Sequence, residues 1–490
     1  MARLTGPHRP PYALLAVALL GLALRLPGLP TPGTSDMGVW KAWAYATTQL
    51  GISGIYTLRQ KPPPPLTPAT IRQALAGDLP VAKVGYAGRA VFVDYPPGVL
   101  YVLGAVGSVY RATVSPTFVD RPALNAAIKL PLVLAEALTA GLLWAVVRRR
   151  RARVAPVVAA AYWLNPTVIL AGSVLGYFDA LYGLLLVAGG LALLRGRPAG
   201  LWAGWALALS LKIQPLLLLP ALLALAARRG PARLIGYGAL AGAILLALAL
   251  PYLLTGHTLA LLSGLVVNAH EDYLSAYGLN IWWLWSYVWQ ATHGGGWGVQ
   301  TDILTVSQLA RKGAGPLDTW ALVAFVVFTA FLMLTWLWST RRLGASAGHG
   351  QGTPPPPTGD GRGTQPPPTG RAGPEAILLL ALQLYGATML LTSIHENHLL
   401  GVLPLLALAA TWATATATPT QRLLWALYAA LSLIAAAPLL LFYGLGDGLP
   451  RPLPRMWFGV DGSVIVALAN VALFAACCLA WACWSIKRKT

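Results

Sequence analysis

The chain has 490 residues, 57% of them hydrophobic and only 10% charged, with a mean hydropathy of +0.63. That balance excludes a soluble protein and describes a polytopic membrane protein. The formal charge of +20 does not signal a nucleic-acid partner: the basic residues sit in short clusters between apolar runs, the pattern of cytoplasmic loops under the positive-inside rule.

Arg3 and Arg9 precede a first apolar run, Pro11 to Pro27. No small-x-small cleavage site follows it and Arg25 interrupts it, so it reads as a retained anchor with a cytoplasmic N-terminus. The next segment, 29–122, is then a long first outer loop. Loops longer than about 15 residues usually carry function. This one opens with Thr-Ser-Asp-Met-Gly-Val-Trp (Thr34 to Trp40) and later reads Val-Asp-Tyr-Pro-Pro-Gly (Val93 to Gly98). Lys61 to Pro68 is too Pro-rich for a helix. The aromatic flanks, Val39–Leu50 and Gly98–Tyr110, are expected to lie along the membrane surface.

A second span, Leu124 to Val147, ends in Arg148, Arg149, Arg150 and Arg151, a strong cytoplasmic marker. Spans follow over Val154–Val174 and Asp179–Leu194. The apolar stretch from Leu201 to Ala227 breaks at Lys212-Ile213-Gln214-Pro215 and reads as two helices. Leu234–Leu253 is the seventh span. Thr255 to Asp318 is mixed and Trp-rich, and its run Ile281–Trp289 is too short to cross a bilayer core of about 30 Å. Trp320–Trp338 is the eighth. Leu343 to Pro374 is a Gly/Pro/Thr-rich stretch expected to be a disordered cytoplasmic linker. Four more spans, from Ala376, Leu399, Leu423 and Ser463, bring the total to about twelve, with both termini cytoplasmic. The last holds all three cysteines, Cys477, Cys478 and Cys483, in neither a disulfide nor a zinc spacing. The expected fold is an all-α polytopic membrane protein with a main module over 1–340 and C-terminal helices over 375–490 that complete its site.

The chain carries fifteen carboxylates, and this topology puts all but Glu136, Asp360 and Glu375 at the outer face. Each candidate also has a plain structural reading. Asp36 and Asp94 stand where helix caps stand. Lys129 and Glu136 share a helical face inside a span, where an ionisable group costs several kcal/mol unless paired or facing a cavity; a second helix or a ligand would serve equally. Asp179 follows Asn165-Pro166 and reads as a helix start. Lys212 and Gln214 sit at the break, where snorkelling is the cheap structural explanation. His270-Glu271-Asp272-Tyr273 and His395-Glu396-Asn397-His398 are polar turns whose composition is weak evidence for a metal.

Together these motifs resemble the GT-C glycosyltransferases, polytopic enzymes that use polyprenyl-phosphate sugars on the extracytoplasmic face. Ser35-Asp36-Met37 with Trp40 and Trp43 is similar to the acidic motif of their first outer loop. Asp94-Tyr95-Pro96-Pro97, Asn165-Pro166 to Asp179, Lys212-Ile213-Gln214, Glu271-Asp272 with Asn280-Ile281-Trp282, and His395-Glu396-Asn397 follow the order of motifs in the dolichyl-phosphate-glucose glucosyltransferases of N-glycan precursor assembly. The resemblance implies a plasma-membrane hexosyltransferase, inverting in outcome, that moves a sugar from a polyprenyl-phosphate donor to a hydroxyl on a lipid-linked or cell-surface glycan. It implies Asp36 as general base. Lys212, His395 and Lys129 would face the leaving phosphate. Asp94, Tyr95, Asp179, Gln214, Glu271, Asp272 and Glu396 would bind substrate, and Trp282, Trp283 and Trp285 would shape a groove for the lipid chain. No cofactor is expected, and no residue set makes a convincing divalent-metal site. The alternative is a transporter or flippase of lipid-linked saccharides.

Overall fold

A computed structural model describes residues 12–55, 67–76, 83–86, 89–269, 271–294, 297, 303–348, 374–443 and 453–487. The chain is an all-α membrane protein. Among the described residues six helices are long and apolar enough to cross a bilayer: Pro122–Arg148, Pro231–Leu254, Leu317–Ser339, Glu396–Thr416, Gln421–Phe442 and Gly462–Ser485. Ala155–Trp163 and Pro166–Leu175 make a seventh if counted as one span bent by 47°. Shorter apolar helices occupy Tyr12–Gly28, Asp179–Leu194, Pro198–Leu211, Gln214–Ala227, Thr258–Val267 and Pro374–Leu390. The expected count of twelve therefore exceeds what helix length alone supports.

The breaks have local causes. At the bend, Pro166 has no N–H to give and Asn165 caps the new helix, its side-chain oxygen accepting from the Thr167 N–H at 2.9 Å. The Asn165 amide then donates to Tyr428 and Ser432, both at 2.8 Å, which fixes the bend against Gln421–Phe442. The helix Leu317–Gly348 runs past Leu343, so the first residues assigned to the linker are helical. The rest of that stretch, 349–373, lies outside the described residues, as do most of the Pro-rich run at 61–68 and His270.

The bundle core is built from Leu, Ala, Val and aromatic side chains of Pro122–Arg148, Asp179–Leu194, Pro198–Leu211, Pro374–Leu390 and Val402–Thr416. Small residues set the closest approaches, as they do where lipid gives helices no hydrophobic reason to associate. A Cβ on Gly204 would stand 2.6 Å from the Leu185 carbonyl oxygen, so only glycine lets those two helices meet.

The first outer segment is itself folded. It contains the helix Asp36–Gly54, a short helix Pro68–Leu75, an antiparallel hairpin pairing Lys83–Tyr86 with Arg89–Phe92, and the helix Pro97–Thr113. Both aromatic flanks are helical, and they form a second core with Trp40, Trp43, Val99, Leu103, Tyr110 and Phe118. Lys41 ties this unit to the chain ahead of the next span through Asp120, at 2.9 Å.

Two buried cations anchor the unit to the bundle. Arg25, fully buried, pairs with Glu136 at 2.7 Å, donates to the Gly21 and Trp163 carbonyls at 2.9 Å, and lies 3.6 Å over the Trp163 ring. Lys129, also fully buried, donates to the carbonyls of Gly28 (3.0 Å), Thr31 (2.8 Å) and Val174 (2.6 Å). Lys129 and Glu136 thus do not pair with each other: each binds a different part of the chain.

Removing one member of a buried ion pair costs about 3–5 kcal/mol, whereas replacing both with apolar groups is often neutral. Arg25→Met is therefore expected to lower unfolding stability in detergent by about that amount, and Arg25→Met/Glu136→Leu to recover most of it. A double variant as unstable as the single one would mean that the pair does not hold this helix.

Candidate functional site

The first outer unit, the break at Lys212–Pro215, the segment after Thr258–Ala269 and the turn at residues 391–398 meet around a cavity of about 550 Å³. Two short parallel strands close one wall, pairing Ser275–Ala276 with Ile394–His395. The Ser393 N–H donates to the Tyr273 carbonyl at 2.9 Å and the Ser393 hydroxyl to the Glu271 carbonyl at 2.5 Å. The opposite wall is the start of Asp36–Gly54 with Asp94 and Tyr95. Its entry is set at Gly33, whose φ of +77° lets the Thr34 N–H donate to the Leu175 carbonyl at 3.1 Å.

Of the residues singled out in the sequence, Asp36, Asp94, Tyr95, Gln214, Glu271, His395 and Glu396 line this cavity. They come from segments up to 360 positions apart (36 to 396). Trp40 and Trp43 add indole faces, 5.1 Å apart and at 5.0 and 5.7 Å from the Tyr95 ring. His395 meets Glu271 at 2.6 Å. Glu396 accepts from Tyr443 at 2.5 Å and from Tyr177. Gln214 and His398 are joined at 2.8 Å. The Asp36 carboxylate hydrogen-bonds none of the described residues.

The other expected site residues are placed elsewhere. Lys129 is saturated by backbone carbonyls. Lys212 and Asp179 form an ion pair at 3.0 Å, each 4% exposed, behind the wall. Lys212 is thus neutralised and is no bare cation for a phosphate. Asp272 accepts from the Ser307 backbone N–H at 2.9 Å and from its hydroxyl, so it organises the start of Val306–Arg311. Trp282 and Trp283 do not line this cavity: their indoles donate to the Leu390 carbonyl at 2.7 Å and the Ser463 hydroxyl at 3.0 Å, fastening Ile281–Thr292 to the helices Pro374–Leu390 and Gly462–Ser485. Trp285 stacks on Trp289 at 4.9 Å. Tyr443 was not foreseen. It stands alone at the end of an apolar run, and nothing in its neighbours announces its contact with Glu396.

Among the described residues, no Lys or Arg side chain lines the cavity. Among the described residues, no three His, Cys, Asp or Glu side chains are grouped to hold a metal ion. Burial first, then the charge of Glu396, pushes the Asp36 carboxyl above its ordinary range, against the opposing pull of His395 and Lys212. Burial works against a charged His395, but the Glu271 hydrogen bond and the charges of Glu396, Glu271 and Asp36 outweigh it and raise its pKa.

These shifts have opposite consequences for stability. A carboxyl raised in the folded chain binds its proton more tightly there than when unfolded, so Asp36 costs stability at neutral pH and the cost fades as pH falls toward its folded pKa. Asp36→Asn is expected to raise the thermal midpoint at pH 7, with the gain shrinking toward about pH 4. A raised histidine contributes stability below about pH 6.5 that is lost as pH rises through its folded pKa, and His395→Gln should abolish that part of the profile. An Asp36→Asn gain that does not change with pH would contradict this electrostatic account.

Residues 86–287 match a family model described as GPI transamidase subunit PIG-U, and no curated protein matches the chain. This match overturns the GT-C reading. Four of the six motifs that carried that resemblance, from Asp94 to Trp282, lie inside the matched segment. Hexose transfer from a polyprenyl phosphate, the general-base role of Asp36, the sugar donor and acceptor as partners, and the flippase alternative fall with it. From Tyr86 to Tyr287 the chain is similar to a transamidase subunit.

Proposed function

We propose that the chain is a non-catalytic membrane subunit that holds the headgroup of a glycosylated phospholipid for a transamidase-type partner. The observation that carries this is the cavity: four carboxylates, Asp36, Asp94, Glu271 and Glu396, beside Trp40, Trp43 and Tyr95. Carboxylates accept hydrogen bonds from sugar hydroxyls, and indole faces suit the apolar faces of sugar rings. Leu216, Leu217 and Leu391, which also line the cavity, give the lipid end an apolar flank. The similarity to a GPI transamidase subunit supports both the kind of ligand, a glycosylphosphatidylinositol, and the setting, a membrane assembly.

Seven long spans and five of the shorter apolar helices, all but Thr258–Val267, would make twelve crossings. Asp179–Leu194 begins at the cavity end and stops at Arg195, and Pro198–Leu211 returns from that end to Lys212. With arginine-rich ends cytoplasmic, the cavity opens on the other side of the membrane.

A photoreactive glycosylphosphatidylinositol in nanodiscs is expected to label the walls around Asp36 and residues 391–398. Hydrogen bonds to a charged group are worth about 1.5–3 kcal/mol, so Asp36→Asn should weaken labelling about tenfold or more. Labelling that plain phosphatidylinositol competes away as well as the glycolipid does would contradict the proposal.

A further inference from the structure

We infer that the cavity opens sideways into the bilayer at Leu216, and that an acyl chain of the lipid held there lies along the helix Gln214–Ala227. This rests on the headgroup reading and adds where the lipid end of the same ligand sits.

The first argument is depth. Pro198–Leu211 starts beside Arg197 and has 14 residues, so at about 1.5 Å per residue it climbs about 21 Å. The hydrocarbon core is about 30 Å thick. With Arg195 and Arg197 at one membrane boundary, this helix stops short of the other, and any tilt leaves its end deeper still. The returning limb has five residues of 3₁₀-helix, Gln214–Leu218, and nine of α-helix, Leu219–Ala227. It is about 24 Å long and ends at Arg228. Both limbs therefore put the break inside the hydrocarbon layer. Leu216 and Leu217 belong to that break and line the cavity. This part of the cavity wall lies at the level of acyl chains, not of headgroups or water.

The second argument is the face that continues from it. Leu216, Pro220, Leu223 and Ala227 are spaced to share one side of the helix. Leu216 is 44% and Leu223 41% exposed; Ala227 is exposed and Pro220 half-buried. The other side, with Leu218, Ala221 and Leu225, is buried. A bare apolar strip thus runs from the cavity to Arg228, and Leu216 belongs to both. The helix Pro231–Leu254 is barer, with 6% of its apolar window buried, yet none of its residues lines the cavity. Lipid tails are as apolar as leucine, so a bare face alone selects no lipid. What distinguishes Gln214–Ala227 is that a chain lying on it can leave a headgroup in the cavity without crossing water.

The test uses a glycosylphosphatidylinositol with a diazirine in one acyl chain, incorporated with the full chain in nanodiscs, and a phosphatidylcholine with the same diazirine as reference. Labelled residues are mapped by mass spectrometry. A chain tethered by a bound headgroup has a raised local concentration, so the ratio of label on Gln214–Ala227 to label on Pro231–Leu254 is expected to be about tenfold or more higher for the glycolipid than for phosphatidylcholine. Equal ratios, with a headgroup-borne probe still labelling the cavity, would overturn the side opening and leave the headgroup reading standing. Equal ratios with no headgroup label in the cavity would overturn both.

Discussion

Everything at the cavity depends on the ammonium of Lys129 gathering carbonyls from two segments that are not continuous helix. Gly28 and Thr31 belong to the link between the first helix and Asp36, and Val174 ends the bent span. A lysine inside a membrane domain costs several kcal/mol unless satisfied, and irregular backbone at that depth is equally costly. Each remedies the other. About two helical turns along the same helix, Arg25 and Glu136 apply the same logic to the end of the first helix. The result is a rigid floor on which Gly33, Thr34 and Asp36 are placed to within a hydrogen bond.

On that floor the charges divide into two groups. Arg25, Lys129, Glu136, Asp179, Lys212 and Asp272 are used up inside the protein. Glu271, His395 and Glu396 are held by neighbours yet still face the cavity, and Asp36 faces it with no hydrogen-bond partner among the described residues. This division matters more than the number of charged residues near the site, because an ion already paired in a low-dielectric wall has little to offer a ligand. Burial alone does not separate the groups; the partner list does.

Much of the scaffold was legible in the sequence. Hydropathy and arginine clusters located the long helices, and the aromatic flanks of the first outer segment are indeed helical. The convergence of Asp36, Asp94, Gln214, Glu271, His395 and Glu396 was also legible, since each follows or precedes an apolar run on the same side. The partners were not. Seven-residue spacing puts Lys129 and Glu136 on one face, but their partners come from positions near 30, 174 and 25, and nothing local encodes those contacts. Lys212 looked like a bare cation because Asp179 lies 33 residues upstream on another helix. Motif order misled for a related reason. Each motif is short, and an acid beside aromatics after a membrane span suits more than one kind of outer-face polar cavity, so their order does not by itself identify a reaction.

The most direct test of the account is a density map of the chain in nanodiscs with a glycosylphosphatidylinositol bound. The account predicts headgroup density between Asp36 and the 394–397 turn, with the Lys129 carbonyl contacts and the Lys212–Asp179 pair unchanged. Headgroup density elsewhere on the protein, with this cavity holding only water, would contradict it.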